Sequence, residues 1–189
     1  MNTKNLLAIL TLFLCTCSII GCSNDDEEGF SKEEVQQALF DLKGTYQGTA
    51  SVSHYQGPEI TEMQNAIAVS RDSLQFTMSL LPYAELMKDE DLSKHLKEVG
   101  NVEVKAGYEF LQMDGGVRHF VLHPKDVNVS GGYGLSSSIR IVFSQIYGGD
   151  VDVDYGGMIF TLSPIELWVD GKKYEDFPRL VYHFEGKLQ

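Results

Sequence analysis

Val102-Glu103-Val104-Lys105-Ala106-Gly107-Tyr108-Glu109-Phe110 carries apolar side chains on every second residue and polar or small ones between them. Side chains on a strand point alternately to opposite faces, so this stretch predicts a strand with one dry and one wet face. The same period of two recurs at Ile139, Ile141 and Phe143, at Met158, Phe160 and Leu162, and at Ile165, Leu167 and Val169. It returns at Leu180, Tyr182, Phe184 and Leu188 against His183, Glu185 and Lys187. Clean alternation belongs to antiparallel sheets buried on one side. Turn residues separate the runs at 70–73, Asp114-Gly115-Gly116, Ser130-Gly131-Gly132, Tyr147-Gly148-Gly149 and Asp170-Gly171. Eight to ten strands joined by short hairpins make a meander, which removes its edges by closing into a barrel or, alternatively, by folding into a β-sandwich.

Two segments follow a different period. Ser31 stands three residues before Glu34, the spacing of a capping box, with Phe30 and Val35 at the hydrophobic-staple positions. Val35, Ala38, Leu39 and Leu42 then repeat at helical spacing up to Gly44, which predicts a helix over about 32–42. Pro82, Ala84, Leu86, Met87, Leu92, Leu96 and Val99 predict a helical insertion over about 83–98, broken near Asp89-Glu90-Asp91. Its Leu86, Met87 and Leu92 suit a flexible lid over the mouth of a barrel.

The 189 residues are 43% apolar and 22% charged, as in a globular domain. The net charge of −12 disfavours nucleic acid and anionic head groups, so no nucleic-acid partner is expected. Residues 1–21 hold one Lys, no acid and a nearly unbroken apolar run from Leu6 to Ile20, which reads as a signal peptide too short to span a bilayer of about 20 residues. Cys15 and Cys17 fall inside it, which leaves Cys22 as the only cysteine of the mature chain and no intramolecular disulfide.

Ile19-Ile20-Gly21-Cys22 resembles the lipobox of bacterial lipoproteins. The resemblance implies cleavage before Cys22 and acylation of its thiol, palmitate included; several acyl chains hold a protein at a membrane essentially permanently. Ser23-Asn24-Asp25-Asp26-Glu27-Glu28 is a solvated, self-repelling stretch. It resembles the acidic export signal that sends some Gram-negative lipoproteins to the outer leaflet of the outer membrane. The expected organisation is a signal peptide over 1–21, an acidic lipidated tether over 22–30 and one β domain over 31–189. The expected location is the outer membrane, lipid-anchored and facing the cell surface.

Leu42-Lys43-Gly44-Thr45-Tyr46-Gln47-Gly48, after a short helix and before a meander with a helical interruption, is similar to the opening of lipocalin-like domains in surface lipoproteins. That likeness implies a barrel able to hold a small apolar ligand, since about eight strands enclose either packed side chains or one such molecule. The candidate cavity residues are Tyr108, Phe110, Phe120, Trp168, Tyr182 and Phe184. The alternative is a surface interaction or adhesion module that binds an envelope protein or a glycan and has no enzymatic activity.

Chemistry-bearing constellations are sparse. Asp150, Asp152 and Asp154 place oxygens at every second residue, a weak calcium candidate. The sixth and twelfth places of an EF-hand loop hold Tyr155 and Thr161, where Gly and Glu are needed. The plainer expectation has Val151, Val153 and Tyr155 pointing inward and the acids outward. His119 and His123 fall on a strand, where four residues separate the rings by about 13 Å, too far to share an ion. Gly131-Gly132-Tyr133-Gly134 lacks the Lys and the following helix of a phosphate loop. Asp72-Ser73-Leu74 resembles a bacterial O-glycosylation site. No catalytic motif is found, and no cofactor is expected.

Overall fold

The structure, a computed structural model, describes residues 29–129 and 138–189. The chain divides into two units, Met1–Ser31 and Lys32–Gln189, and the second holds the fold described below. The signal peptide, Cys22, the acidic stretch after it and Gly131–Gly134 lie outside the described residues. Among those described, no helix is long and apolar enough to cross a membrane.

The unit is mainly β. Helix α1 (Lys32–Asp41) leads into β1 (Gly44–His54), β2 (Glu59–Ser70) and β3 (Leu74–Ser79). Helices α2 (Leu81–Leu86) and α3 (Glu90–Val99) separate these from β4 (Asn101–Asp114) and β5 (Val117–Pro124). There follow β6 (Val127–Val129), β7 (Ile139–Phe143), β8 (Gly148–Asp152), β9 (Gly157–Leu162), β10 (Pro164–Val169), β11 (Lys172–Lys173) and β12 (Leu180–Leu188). Strands β1 to β5, β8, β9 and β12 pair antiparallel in that order, and β12 pairs back onto β1. This ring has no free edge. The sequence reading missed what the chain does outside it: β6–β7 and β10–β11 leave the ring and join as a second, four-stranded sheet in the order β11-β10-β7-β6.

The period of two places one residue set inside the ring. Tyr46, Ala50, Val52, Phe76, Met78, Val104, Phe120, Leu122, Val151, Phe160, Tyr182 and Phe184 are all at most 2% exposed. Their rings interlock. Phe160 lies 5.3 Å from Phe76, edge to face, and 4.9 Å from Phe184, while Tyr108 lies 5.1 Å from Phe120. Aromatic pairs at such separations add about 0.5–1.5 kcal/mol each beyond their buried area.

The helices brace the ends. α1 stops at Asp41, one residue before the expected end; Asp41 accepts from Arg118 of β5 at 2.8 Å, and Tyr46 donates to the Leu42 carbonyl. Both ion-pair partners are mostly buried, at 16% and 13% exposure. The insertion is two helices, because Asp89 accepts from the Leu92 amide and so starts α3 afresh. Tyr83 of α2 stacks on Phe177 at 4.6 Å and lies 6.2 Å from Tyr182 of β12, which fastens this helical pair to the ring; Tyr182 itself donates to the Ser79 carbonyl of β3.

Four local expectations are corrected. Gly148 and Gly149 do not form a turn; they lie in β8, where an added Cβ would run into backbone atoms of Phe120 and Val121 or of Ile159 and Phe160. Glycine there permits close strand approach. The run Ile165, Leu167, Val169 does not share one face. A register shift between Pro164 and Glu166 buries Pro164 and Leu167 and turns Ile165 outward. Tyr155 does not point inward: β8 ends at Asp152, and Tyr155 is 83% exposed in the following turn. Trp168 does not line the ring interior; it lies on the second sheet.

Candidate functional site

Five of the six candidate cavity residues, Tyr108, Phe110, Phe120, Tyr182 and Phe184, do come together inside the ring, but as packing partners. Tyr108 touches Phe110 and Phe120 and shares a 2.8 Å hydrogen bond with the Ser70 hydroxyl. Burial raises the Tyr108 and Tyr182 phenols well above their ordinary range. These side chains fill the interior they were expected to line.

Trp168, the sixth and the chain's only tryptophan, belongs to another arrangement. Directly opposed residues of antiparallel strands share a face. Asn128 opposes Arg140, Arg140 opposes Trp168, and Trp168 opposes Lys173. One side chain from each of β6, β7, β10 and β11 thus forms a row across the outer face of the second sheet. The inner face carries Val127, Val129, Ile139, Ile141 and Leu167, which are buried or packed on the core.

The row is held by polar contacts. The Arg140 guanidinium lies 4.7 Å from the Trp168 ring centre, within cation–π range. Trp168 Nε1 donates to Glu166 Oε2 at 2.9 Å, and Lys173 Nζ donates to Glu166 Oε1 at 2.6 Å. Arg140 faces Asp126 at 3.9 Å. The two cations are therefore matched by two carboxylates. Beside the row is a cavity of about 370 Å³ lined by Asn128, Val129, Ser138, Ile139, Arg140, Trp168 and Gly171. One edge of it is tied together: the Ser138 amide donates to Asp170 Oδ1, and the Asp170 amide donates to the Ser138 carbonyl. Asp170 and Gly171 have φ of 48° and 76°, the left-handed pair that a two-residue hairpin requires.

Hydrogen bonds from Lys173 and then Trp168 hold the half-buried Glu166 carboxyl below its ordinary value. A depressed folded value adds stability above the unfolded value, lost as pH falls through the folded one; on a surface carboxylate screened by solvent that contribution is small. The sensitive readout is optical. The Trp168 emission is expected to stay constant from neutral pH to about 4.3 and to change only below it. In Lys173→Ala the change moves to higher pH, measured by fluorescence titration; an unmoved transition would count against the Lys173–Glu166 link.

The other sequence candidates are used elsewhere. Asp150 meets His119 Nδ1 at 2.6 Å, and Asp152 accepts from the amides of Asp154 and Tyr155, which shapes the β8–β9 turn. His123 pairs with Glu109 at 2.6 Å and has no contact with His119's partner. Among the described residues no group of three His, Cys, Asp or Glu side chains is placed to hold a metal ion. Ser73 sits in the β2–β3 turn. A larger hollow of about 590 Å³ crosses the outer wall of the ring at Gln47, Thr49, Asp150, Asp152, Ile159, Glu185 and Lys187, but no aromatic side chain lines it.

Fold and site together define a class: a mainly β domain with a closed antiparallel ring, a packed interior and an aromatic–polar row on an appended sheet. No family model, no curated protein and no solved structure matches the chain.

Proposed function

We propose that the chain is a lipid-anchored outer-membrane protein, a lipocalin-like barrel facing the cell surface that works as a non-enzymatic binding module through the outside of its sheets. The Cys22 lipobox likeness supports the anchor, and the acidic stretch after it supports the surface-facing position. The observation that carries the choice between an internal ligand and an external partner is the interior packing: Phe76, Phe160 and Phe184 stand within 4.9–5.8 Å of one another where a lipocalin-type ligand would sit. An apolar guest would have to displace a stacked core, at a cost of several kcal/mol by the usual scale of aromatic burial.

The test is made on full-length protein extracted from cells in mild detergent. Intact mass is expected to show acyl groups on Cys22. Native mass spectrometry is expected to show no stoichiometric apolar species, and a bile acid, a long-chain fatty acid and a tetrapyrrole are expected to leave the melting temperature unchanged. A co-purified apolar ligand, or a thermal shift with any of the three, would restore the internal-ligand reading.

A further inference from the structure

We infer that the cleft beside Trp168 is a binding site for a neutral oligosaccharide. This rests on the reading that the protein works through its outer surface, and it names the ligand class that the Trp168 face suits. Four features point to it. The volume, about 370 Å³, is that of a small-molecule site and not of a flat protein epitope. The lining combines one large aromatic ring with the Asn128 amide, the Arg140 guanidinium, the Ser138 hydroxyl and the Gly171 backbone. Sugar rings present the same two chemistries, since their C–H faces lie against aromatic π-systems and their hydroxyls take paired donors and acceptors. The third feature is charge: Arg140 is faced by Asp126 and Lys173 by Glu166, so the site offers no spare cation to an anion. A chain of net charge −12 also repels acidic glycans.

The fourth feature is shape. Asn128, Arg140, Trp168 and Lys173 occupy neighbouring strands, so the row extends over three inter-strand steps, about 14 Å in all. A linear ligand lying across the strands would meet one side chain per step. The paired hydrogen bonds between Ser138 and Asp170 hold one edge of the cleft in place, which lowers the ordering cost of a weakly binding polar ligand.

The test titrates the full-length chain with neutral β-1,4-glucan, α-1,4-glucan and β-1,4-N-acetylglucosamine series, from disaccharide to hexasaccharide. Trp168 emission and calorimetry are the readouts. At least one series is expected to bind saturably. Trp168→Ala and Arg140→Ala are each expected to weaken that binding about tenfold or more by calorimetry, while the interior variant Phe76→Leu leaves it within about twofold. No saturable response, or a response confined to charged glycans, would overturn the inference.

A second arm separates this failure from failure of the underlying reading. Vesicles bearing the acylated chain are assayed for adhesion to cells before and after enzymatic deglycosylation. Adhesion lost on deglycosylation and with Trp168→Ala supports the inference. Adhesion that survives deglycosylation but not Trp168→Ala assigns the site to a protein partner and overturns the glycan. Adhesion that is indifferent to Trp168→Ala overturns the Trp168 site alone, and absence of adhesion overturns the outer-face reading as well.

Discussion

Replacing Phe160 by alanine is expected to remove about 3–5 kcal/mol of stability, the range for a fully buried aromatic whose neighbours cannot collapse into the gap. Domains of this size have roughly 5–15 kcal/mol in total, so the variant would stand near the edge of folding. The expectation follows from position. Phe160 is 1% exposed and touches both Phe76 and Phe184, which come from β3 and β12 on either side of the interior. Those strands are fixed by ring hydrogen bonding and cannot move inward to fill the gap. Urea unfolding of wild type and variant measures the difference, and a loss below about 1 kcal/mol would mean that the interior is not close-packed.

The same variant probes what the fold is used for. A dry cavity lined by Phe76, Phe184 and their neighbours has the character of engineered core cavities that take up benzene. Benzene is therefore expected to raise the melting temperature of Phe160→Ala and to leave wild type unchanged. A ring of eight strands can be filled or hollow, and here the choice is made by a few aromatic side chains. The proposed function accordingly rests on side chains that the ring does not need. Arg140, Trp168, Glu166 and Lys173 make few core contacts, yet they are organised by cation–π and hydrogen-bond links that a merely solvated face does not require.

The ring was legible because its signal is local. Val102 to Phe110 reads as a half-buried strand without reference to anything else, and the paired turns at Asp114-Gly115-Gly116 and Asp170-Gly171 stand where the sequence places them. The second sheet was not legible, since its existence depends on β7 pairing with β10, two strands separated by β8 and β9. β6 and β11 have three and two residues, too short for any periodicity. The row on the second sheet escaped for the same reason: Asn128, Arg140, Trp168 and Lys173 are scattered in sequence and meet only through register. The Ile165 bulge reversed the face of part of β10, so period two alone misassigned Ile165. Gly148-Gly149 was misread because glycine signals both turns and close strand approach, and only the neighbouring backbone tells them apart.

Raising the pH above 10 is expected to unfold the protein cooperatively, driven by four phenols held in the interior. Burial pushes Tyr46, Tyr83, Tyr108 and Tyr182 up from an ordinary value of 10.0. For Tyr108 the hydrogen bond with Ser70 opposes the rise only partly, and for Tyr83 the neighbouring Tyr182 adds to it. The protonated phenol is the neutral form, so a raised folded value favours folding fully below the unfolded value near 10. Above it, each group withdraws up to about 1.4 kcal/mol per pH unit until its folded value is reached, and four together withdraw up to about 5.5 kcal/mol per unit. A domain of ordinary stability exhausts its margin within roughly one to three units. Phenolate absorbance and far-ultraviolet circular dichroism, followed together against pH, test this. The buried phenols are expected to ionise only as the dichroism is lost. Tyr108→Phe separates titration from packing. At neutral pH it costs about 1 kcal/mol, because the Ser70 hydroxyl loses its partner. Its stability then falls less steeply above pH 10, by about one quarter of the slope, because three phenols remain where there were four. Full ionisation of all nine tyrosines in a protein with native dichroism would overturn the placement of these four side chains in the interior.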